Sequence, residues 1–494
     1  MFEDVVEVGM IFGVSLVTLI IALTALISGL GVSSTRQFTI AGKSAAWPIV
    51  SGIIVGALVG GSSTVGTAQA AFTYGLPAWW FTLGAGIGCL VLGTAFVLPL
   101  RRAGVETLPQ FLVATFGQPI RPFVAICDSI GIFITIPGQA ASAITLLAVL
   151  LDWSTPPTVL LVTVLIIFYV LTGGVISAGV AGFVKLVIAF TALLVFGAVA
   201  LYLSNGLTSL QTALPTRYFS LFGNGFWRDI GNGLGIVFGV LTTQVYVQAV
   251  LCGRDSRQAR IGSVVAGIGT TVFGLGGVLV GMFMRVHEPN IAAAQALPLF
   301  AAHYFSPVMS GIMLGSILIT VVTCAGGLAL GIATMFTRDL YQHYIRPQMG
   351  DREGLLVARG LIVVVVVAGV LIGASDFLKL IISYSFLAFA FRADALLVPV
   401  IVAVIGSRTR LRSAGAGIGA LMCGMVTDIG WNLMVAPGGA AVFIGLIGSF
   451  IGLLAGHALS SVIEGRTVVK PQSETSVKRR KEEENENVER QDLR

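Results

Sequence analysis

Thirteen runs of apolar residues, most about 20 residues long or longer, limit more than any other feature what this chain can fold into. They lie near 8–30, 46–74, 79–100, 121–151, 156–174, 176–204, 228–252, 261–285, 304–336, 355–374, 377–405, 413–434 and 440–463. About 20 apolar residues cross the hydrocarbon core of a bilayer as a helix. In hydrocarbon only helices and closed barrels satisfy every backbone polar group. The chain therefore reads as an all-α integral membrane protein of about thirteen transmembrane helices. Charged residues make up 11% of it and hydrophobic ones 56%, whereas about a quarter of the residues of a soluble domain are charged.

The distribution of Lys and Arg sets the orientation, because cytoplasmic loops carry the excess. Arg36, Lys43, Arg101, Arg102, Arg121, Arg254, Arg257, Arg260, Arg338, Arg346, Arg352, Arg408, Arg410, Arg412 and the run Lys478-Arg479-Arg480-Lys481 fall on one side, while the opposite loops hold little beyond Arg217 and Arg228. The N-terminus is expected outside and the C-terminus in the cytoplasm. The first run follows an acidic start, Met1-Phe2-Glu3-Asp4, and is longer than a signal-peptide core, so it is kept as a span. The net charge of +6 is thus a topology signal and implies no nucleic-acid partner. Segment 465–494 is a polar, charged cytoplasmic tail, expected to be disordered. Cys89, Cys127, Cys252, Cys324 and Cys423 stand singly with no CxxC spacing, which implies neither a disulfide framework nor a metal centre.

Two runs are interrupted by small and hydroxyl residues, Gly56-Ala57-Leu58-Val59-Gly60-Gly61-Ser62-Ser63-Thr64 and Gly231-Asn232-Gly233-Leu234-Gly235-Ile236-Val237-Phe238-Gly239. A helix broken inside a bilayer frees amides and carbonyls, so it survives only where it lines a cavity or meets an ion or substrate. The two interruptions lie five runs apart. Segments 46–204 and 228–405 then hold five spans each, and five is odd, so the second unit enters the membrane inverted. Paired broken helices opening two inverted units are the sequence sign of a secondary transporter. Around the units lie an extra helix and loop (1–45), an extracellular loop (205–227) and two further helices (406–464). A channel would show a repeated pore loop, a membrane enzyme a cluster of His, Asp or Glu on one face, and a sensor a soluble domain; none is present in the sequence. Gly84-Ala85-Gly86-Ile87-Gly88 is not a dinucleotide loop, since no strand precedes it. His287, His303 and His343 read as ordinary loop histidines.

The local motifs resemble the sodium:solute symporter family, which has a LeuT-type five-plus-five core. Ala41-Gly42-Lys43-Ser44 through Trp47, followed by Phe72-Thr73-Tyr74-Gly75-Leu76, is similar to that family's first core helix. Thr242-Thr243-Gln244-Val245-Tyr246-Val247-Gln248 with Arg254-Asp255 and Ala259-Arg260 is similar to its sixth, and Phe336-Thr337-Arg338-Asp339-Leu340-Tyr341 to the end of its eighth. The resemblance implies a multi-pass protein of the plasma or inner membrane, cation-coupled symport and no cofactor beyond a sodium ion. No obligate protein partner is evident. It also implies a sodium site at the carbonyls of Gly56 and Val59 with Thr320, Thr323 and Cys324. A neutral thiol is a poor sodium ligand, so Cys324 departs from the pattern. Lys185 departs further, because the family often carries an acid near the position of Phe183. At about 1.5 Å per residue, Lys185, Gly56 and Thr323 share mid-membrane depth. A lysine there needs carbonyls, water or an acid, and its ammonium could take the place of sodium, or load and unload a proton. The simpler alternative is an amine that snorkels to the interface beside a Cys324 that only packs.

A solute in this architecture is expected at the breaks, where helix N-termini and free amides receive anionic groups. The candidates are Ser62, Ser63, Thr64 and Gln69 at the first, and Asn232, Thr243 and Gln244 at the second. Ser and Thr in membrane helices also bond their own carbonyls, and Gly also permits close packing. Arg392 lies deep in the tenth core helix within Phe389-Ala390-Phe391-Arg392-Ala393-Asp394. Asp394 is two residues on and faces elsewhere. Arg392 therefore suggests a carboxylate, from a small organic or amino acid substrate or from another helix, for which Asp128 is one option.

Overall fold

The computed structural model describes residues 43–151, 153–375, 381–406, 411–434 and 439–466, with scattered helical residues between Gly9 and Leu23. The acidic start, most of the first run and the charged tail lie outside the described residues. Nine helices among the described residues are long and apolar enough to cross a membrane, ten if the bent pair Phe226–Thr242 and Gln244–Cys252 is one span. Shorter apolar helices cover Trp47–Leu58 and Thr155–Leu171. The protein is a multi-pass, all-helical membrane protein.

The first core unit opens with α1 (Trp47–Leu58) and α2 (Val65–Tyr74), separated by a turn over Val59–Thr64. Next come α3 (Leu76–Arg102), the amphipathic α4 (Leu108–Phe116), and α5 (Arg121–Leu151). The runs 156–174 and 176–204 form one helical stretch, α6 (Thr155–Leu203), of 49 residues. A straight helix of that length would run about 74 Å, more than twice the hydrocarbon thickness. Its neighbours show that it turns back. Leu161 and Leu165 lie beside Leu318, and Tyr169 and Val170 beside Gly326, so this part runs parallel to α10 (Pro307–Met335). A straight continuation would carry Lys185 about 22 Å past Val170. Instead Lys185 reaches Thr320 and Thr323 of α10, one turn before Gly326. The stretch therefore holds two crossings.

The second unit opens with α7 (Phe226–Thr242) and α8 (Gln244–Cys252), bent by 48°. It continues through α9 (Ser256–His287), α10, α11 (Asp351–Gly373) and α12 (Ile381–Ile405). A hairpin of α13 (Ala414–Met434) and α14 (Ala441–Arg466) follows. Gly415 and Gly419 of α13 face Gly456 and Gly452 of α14 so closely that any Cβ would collide with the opposite carbonyls. Small residues one turn apart let membrane helices approach to backbone contact.

One expectation is corrected. Gly231 to Gly239 is not a break but the middle of α7, and the helix is interrupted at Thr243 alone, whose backbone is extended (φ −94°, ψ 126°). The glycines serve packing: a Cβ on Gly231 would strike Gly439, one on Gly233 the Trp80 ring, and one on Gly239 Phe389. Glycine spacing alone does not separate a break from a close helix crossing. The first interruption is a genuine break, with Val59 extended (φ −89°, ψ 104°).

Candidate functional site

The end of α1 is closed by a lysine. Lys185 Nζ donates to Gly56 O at 2.9 Å, Val59 O at 2.8 Å, Thr320 O at 3.0 Å and Thr323 Oγ1 at 2.8 Å. Close packing of α1 on α6 places it there. Gly52 meets the backbone of Gly179 and Gly182 so tightly that a Cβ on either Gly52 or Gly182 would overlap a carbonyl. Gly56 is one turn past Gly52, and Lys185 about one turn past Gly182. The side chain is 1% exposed, so it does not snorkel. An ammonium has three protons and no acceptor capacity; the break supplies the acceptors that hydrocarbon lacks. Thr320 joins through its carbonyl, since its hydroxyl bonds Ser316 O at 2.7 Å. Cys324 Sγ donates to Ala57 O at 2.9 Å, so it caps the same helix end instead of offering a lone pair. The oxygens that would hold sodium are all engaged by Nζ, and in this arrangement the residues do not fit a sodium ion. The cavity bounded by Ile53, Gly56, Ala57, Val245, Gln248, Thr323, Gly327 and Leu330 has a volume of about 10 Å³, about one water molecule.

Past the break the hydroxyls divide. Ser63 and Thr64 bond back to Gly60 O at 3.0 and 2.8 Å, and Ser63 Oγ accepts from Gly60 N at 2.8 Å. Ser62 reaches across to Ser385 Oγ of α12 at 2.6 Å. Gln69 Oε1 accepts the Ile381 N–H at 3.1 Å, capping the start of α12. Gln139 of α5, which the sequence reading missed, accepts the Gly61 N–H through Oε1. Its signal was available: an amide inside an apolar run is costly unless it has a purpose. Gly60 and Gly61 are required here because a Cβ on either would overlap Gln139 or Ser142. Both ends are shut. At the far end, Ala45 N bonds Cys252 O at 3.0 Å, Arg254 N bonds Ala45 O at 2.9 Å, and Arg101 donates to Gly253 O.

At the second break, Thr243 Oγ1 bonds Gly239 O at 2.6 Å. Gln244 N donates to Asp128 Oδ2 at 2.8 Å, and Gln244 Oε1 accepts from Leu108 N at 2.7 Å. Asp128 thus sits at the N-terminus of α8, where the helix dipole favours an anion. Arg392 is 1% exposed. Its stem passes Gly131, one turn from Asp128, and its guanidinium lies 4.4 Å from the Phe389 ring centre. Phe389 also packs against Phe81 and stacks on Tyr246. Asp128 is its electrostatic partner, yet among the described residues none of the three guanidinium nitrogens makes a hydrogen bond, nor do Asp128 Oδ1 and Gln244 Nε2. Asn232 does not join this group. It lies on α7 about 16 Å before the break and lines a cavity of about 410 Å³ with Arg228, Tyr384 and Asn432.

The profile of the sodium:solute symporter family matches residues 38–427. The high-affinity choline transporter 1 of Drosophila melanogaster is 24% identical over 348 residues, 68% of this chain and 56% of that protein. The sodium/glucose cotransporter 2 of Rattus norvegicus is 25% identical over 385 residues, 67% of this chain and 57% of its own length. The chain thus spans little more than half the length of these relatives. A substrate-bound, outward-open Na+-coupled sialic acid symporter superposes with a TM-score of 0.76 at 13% identity, covering 92% of this chain and 97% of that one. That likeness establishes the LeuT-type fold. With the profile match over most of the chain and two interrupted helices at the centre, the chain belongs to the sodium:solute symporter family.

Proposed function

We propose that this chain is a sodium-independent, proton-coupled transporter of a small carboxylate-bearing solute, in which Lys185 stands as a tethered cation in the place of sodium. The carrying observation is the shell of four oxygens at 2.8–3.0 Å around Nζ. The proton on Nζ is the coupled species: with it, the amine ties α1 to α10 through three N–H donors, and without it one of those donors is lost and the tie loosens. Segments 46–204 and 228–405 are the two inverted units that alternate around the site, with the N-terminus outside and the C-terminus in the cytoplasm.

The solute carboxylate is assigned to Arg392 and the Gln244 amide, whose unpartnered donors lie beside the N-terminus of α8. Asp128 holds that position in the closed arrangement and is the group a solute would displace. A cationic solute such as choline, named for one relative, would meet the Arg392 charge on the same aromatic cluster, which disfavours it. The test is uptake into proteoliposomes under separately imposed gradients. Accumulation driven by a proton gradient in sodium-free medium supports the reading; a strict requirement for sodium in the wild type refutes it.

A further inference from the structure

Outside the broken-helix core, α12 meets the α13–α14 hairpin through two acids. Asp394 and Asp428 are 0% and 1% exposed, and their carboxyl groups lie within hydrogen-bonding reach of each other. Among the described residues, Asp394 Oδ1 and Oδ2 and Asp428 Oδ2 meet no N–H or O–H donor. The buried Ser449 hydroxyl of α14, beside Asp394 at the Gly424 contact, also lacks a partner. Two ionised carboxylates offer only acceptors, and no donor among the described residues lies between them. Among the described residues the surroundings add no compensating charge. From α13 comes Asn432, whose amide binds Asp428 Oδ1 at 2.9 Å. From α14 come Gly445 and Ser449. On α12 itself, Arg392 turns the other way, to Gly131 and the Asp128 side of α5. Arg228 of α7 lines the neighbouring cavity.

We propose that Asp394 and Asp428 form a proton-binding site, one proton shared between the two carboxyl groups at neutral pH. A proton is favoured over a metal ion by contact geometry. The carboxyls approach each other directly, and the backbone of Gly445 seals Asp394 so closely that even a Cβ there would overlap the carboxyl. Among the described residues no third His, Cys, Asp or Glu joins the pair to hold a metal ion. Access is also built in, because Asn432 both lines the 410 Å³ cavity and holds Asp428, so the proton comes from and returns to water in that cavity.

Infrared difference spectroscopy of the full-length protein in lipid tests this. The wild type should show a protonated-carboxyl C=O band at neutral pH that disappears in alkali. The band should be lost in both Asp394→Asn and Asp428→Asn, kept in Lys185→Met, and shifted in frequency in Asn432→Ala, which leaves both carboxyls in place. The Asn variants are isosteric with the protonated acid, which favours their folding; the Asn432→Ala shift is read independently of them. A wild type with no such band, a band surviving in both Asn variants, or a band removed by sodium at constant pH overturns the proposal.

Discussion

If Lys185 stands in the place of sodium, replacing it with Ala should create a sodium response that the wild type lacks. The break withholds the amides that would otherwise serve Gly56 O and Val59 O; the Gly60 N–H, for instance, turns to Ser63 Oγ. Without Nζ, two buried carbonyls lose their donor, at about 1–3 kcal/mol each, and the loss of three apolar methylenes adds about 2 kcal/mol. Against this, the desolvation cost of the ammonium, several kcal/mol, is regained. These terms are of similar size, so the stability of the variant in sodium-free buffer is not diagnostic. The response to sodium is. In the wild type, a sodium ion entering the same shell would lie about 3 Å from Nζ, where two unit charges repel by about 5 kcal/mol at an effective dielectric of 20, nearly four decades in affinity. In the variant the oxygens are free, and sodium at a hundredfold excess over its dissociation constant stabilises by about 2.7 kcal/mol. Thermal unfolding in lipid nanodiscs, in sodium against N-methylglucamine, reads the difference. An equal sodium shift in both proteins would refute the tethered-cation account, because Lys185 would then not compete for the site.

The remaining predictions probe the same geometry. Gly182→Leu drives a side chain into Gly52, separates α1 from α6 and should abolish transport even where protein is still made, as uptake normalised to surface protein shows. Cys324→Ala leaves Ala57 O without its thiol donor and should destabilise by about 1 kcal/mol, while Cys324→Ser keeps the bond and stays near wild type in a thermal melt. Arg392→Lys trades the guanidinium fork for a point charge and should weaken solute binding at least tenfold, about 1.4 kcal/mol, in a binding assay over a panel of labelled carboxylates. Asp255 caps α9 by accepting the Gln258 N–H at 2.8 Å, and that bond holds its carboxyl below the ordinary range. The cap's contribution is therefore present above that range and fades as pH falls through it; Asp255→Ala should remove this pH dependence from the melting profile.

The fold was largely legible because bilayer physics leaves few choices: apolar length gives the spans, and a hydroxyl-rich Gly-Gly pair inside one gives a break. The second break was misplaced for a physical reason. Gly231 to Gly239 and Gly60-Gly61 look alike in sequence, but α7 uses its glycines to approach Trp80, Phe389 and Gly439, and every backbone group there stays in a helix. A following Thr-Thr-Gln was the better marker, since Thr243 needs only one extended residue to turn the chain. The reversal within α6 was legible as two apolar runs.

The site was legible at its centre and not at its edge, and the difference lies in how far each interaction reaches. Lys185 could be placed with Gly56 and Thr323 because all three sit at one depth on helices whose order is fixed, and a buried amine has few other acceptors in a membrane. The Ser62–Ser385 and Gln139–Gly61 contacts could not, because they depend on the rotation of α5 and α12 about their own axes, which packing decides. Asp394 shows the cost of that gap. Read along one helix it was only a poor partner for Arg392; across three helices it faces Asp428. Facing outward from Arg392, Asp394 needs its own counter-charge, and α13 offers only another acid, so the two carboxyls are at ease in the bilayer only with a proton between them. The chain then carries two proton-bearing elements, an amine inside the broken-helix core and an acid pair beside it. They respond in opposite senses: losing a proton neutralises the amine but adds a second negative charge to the acid pair. A rise in pH should therefore loosen the tie of α1 to α10 and strain the contact of α12 with the hairpin.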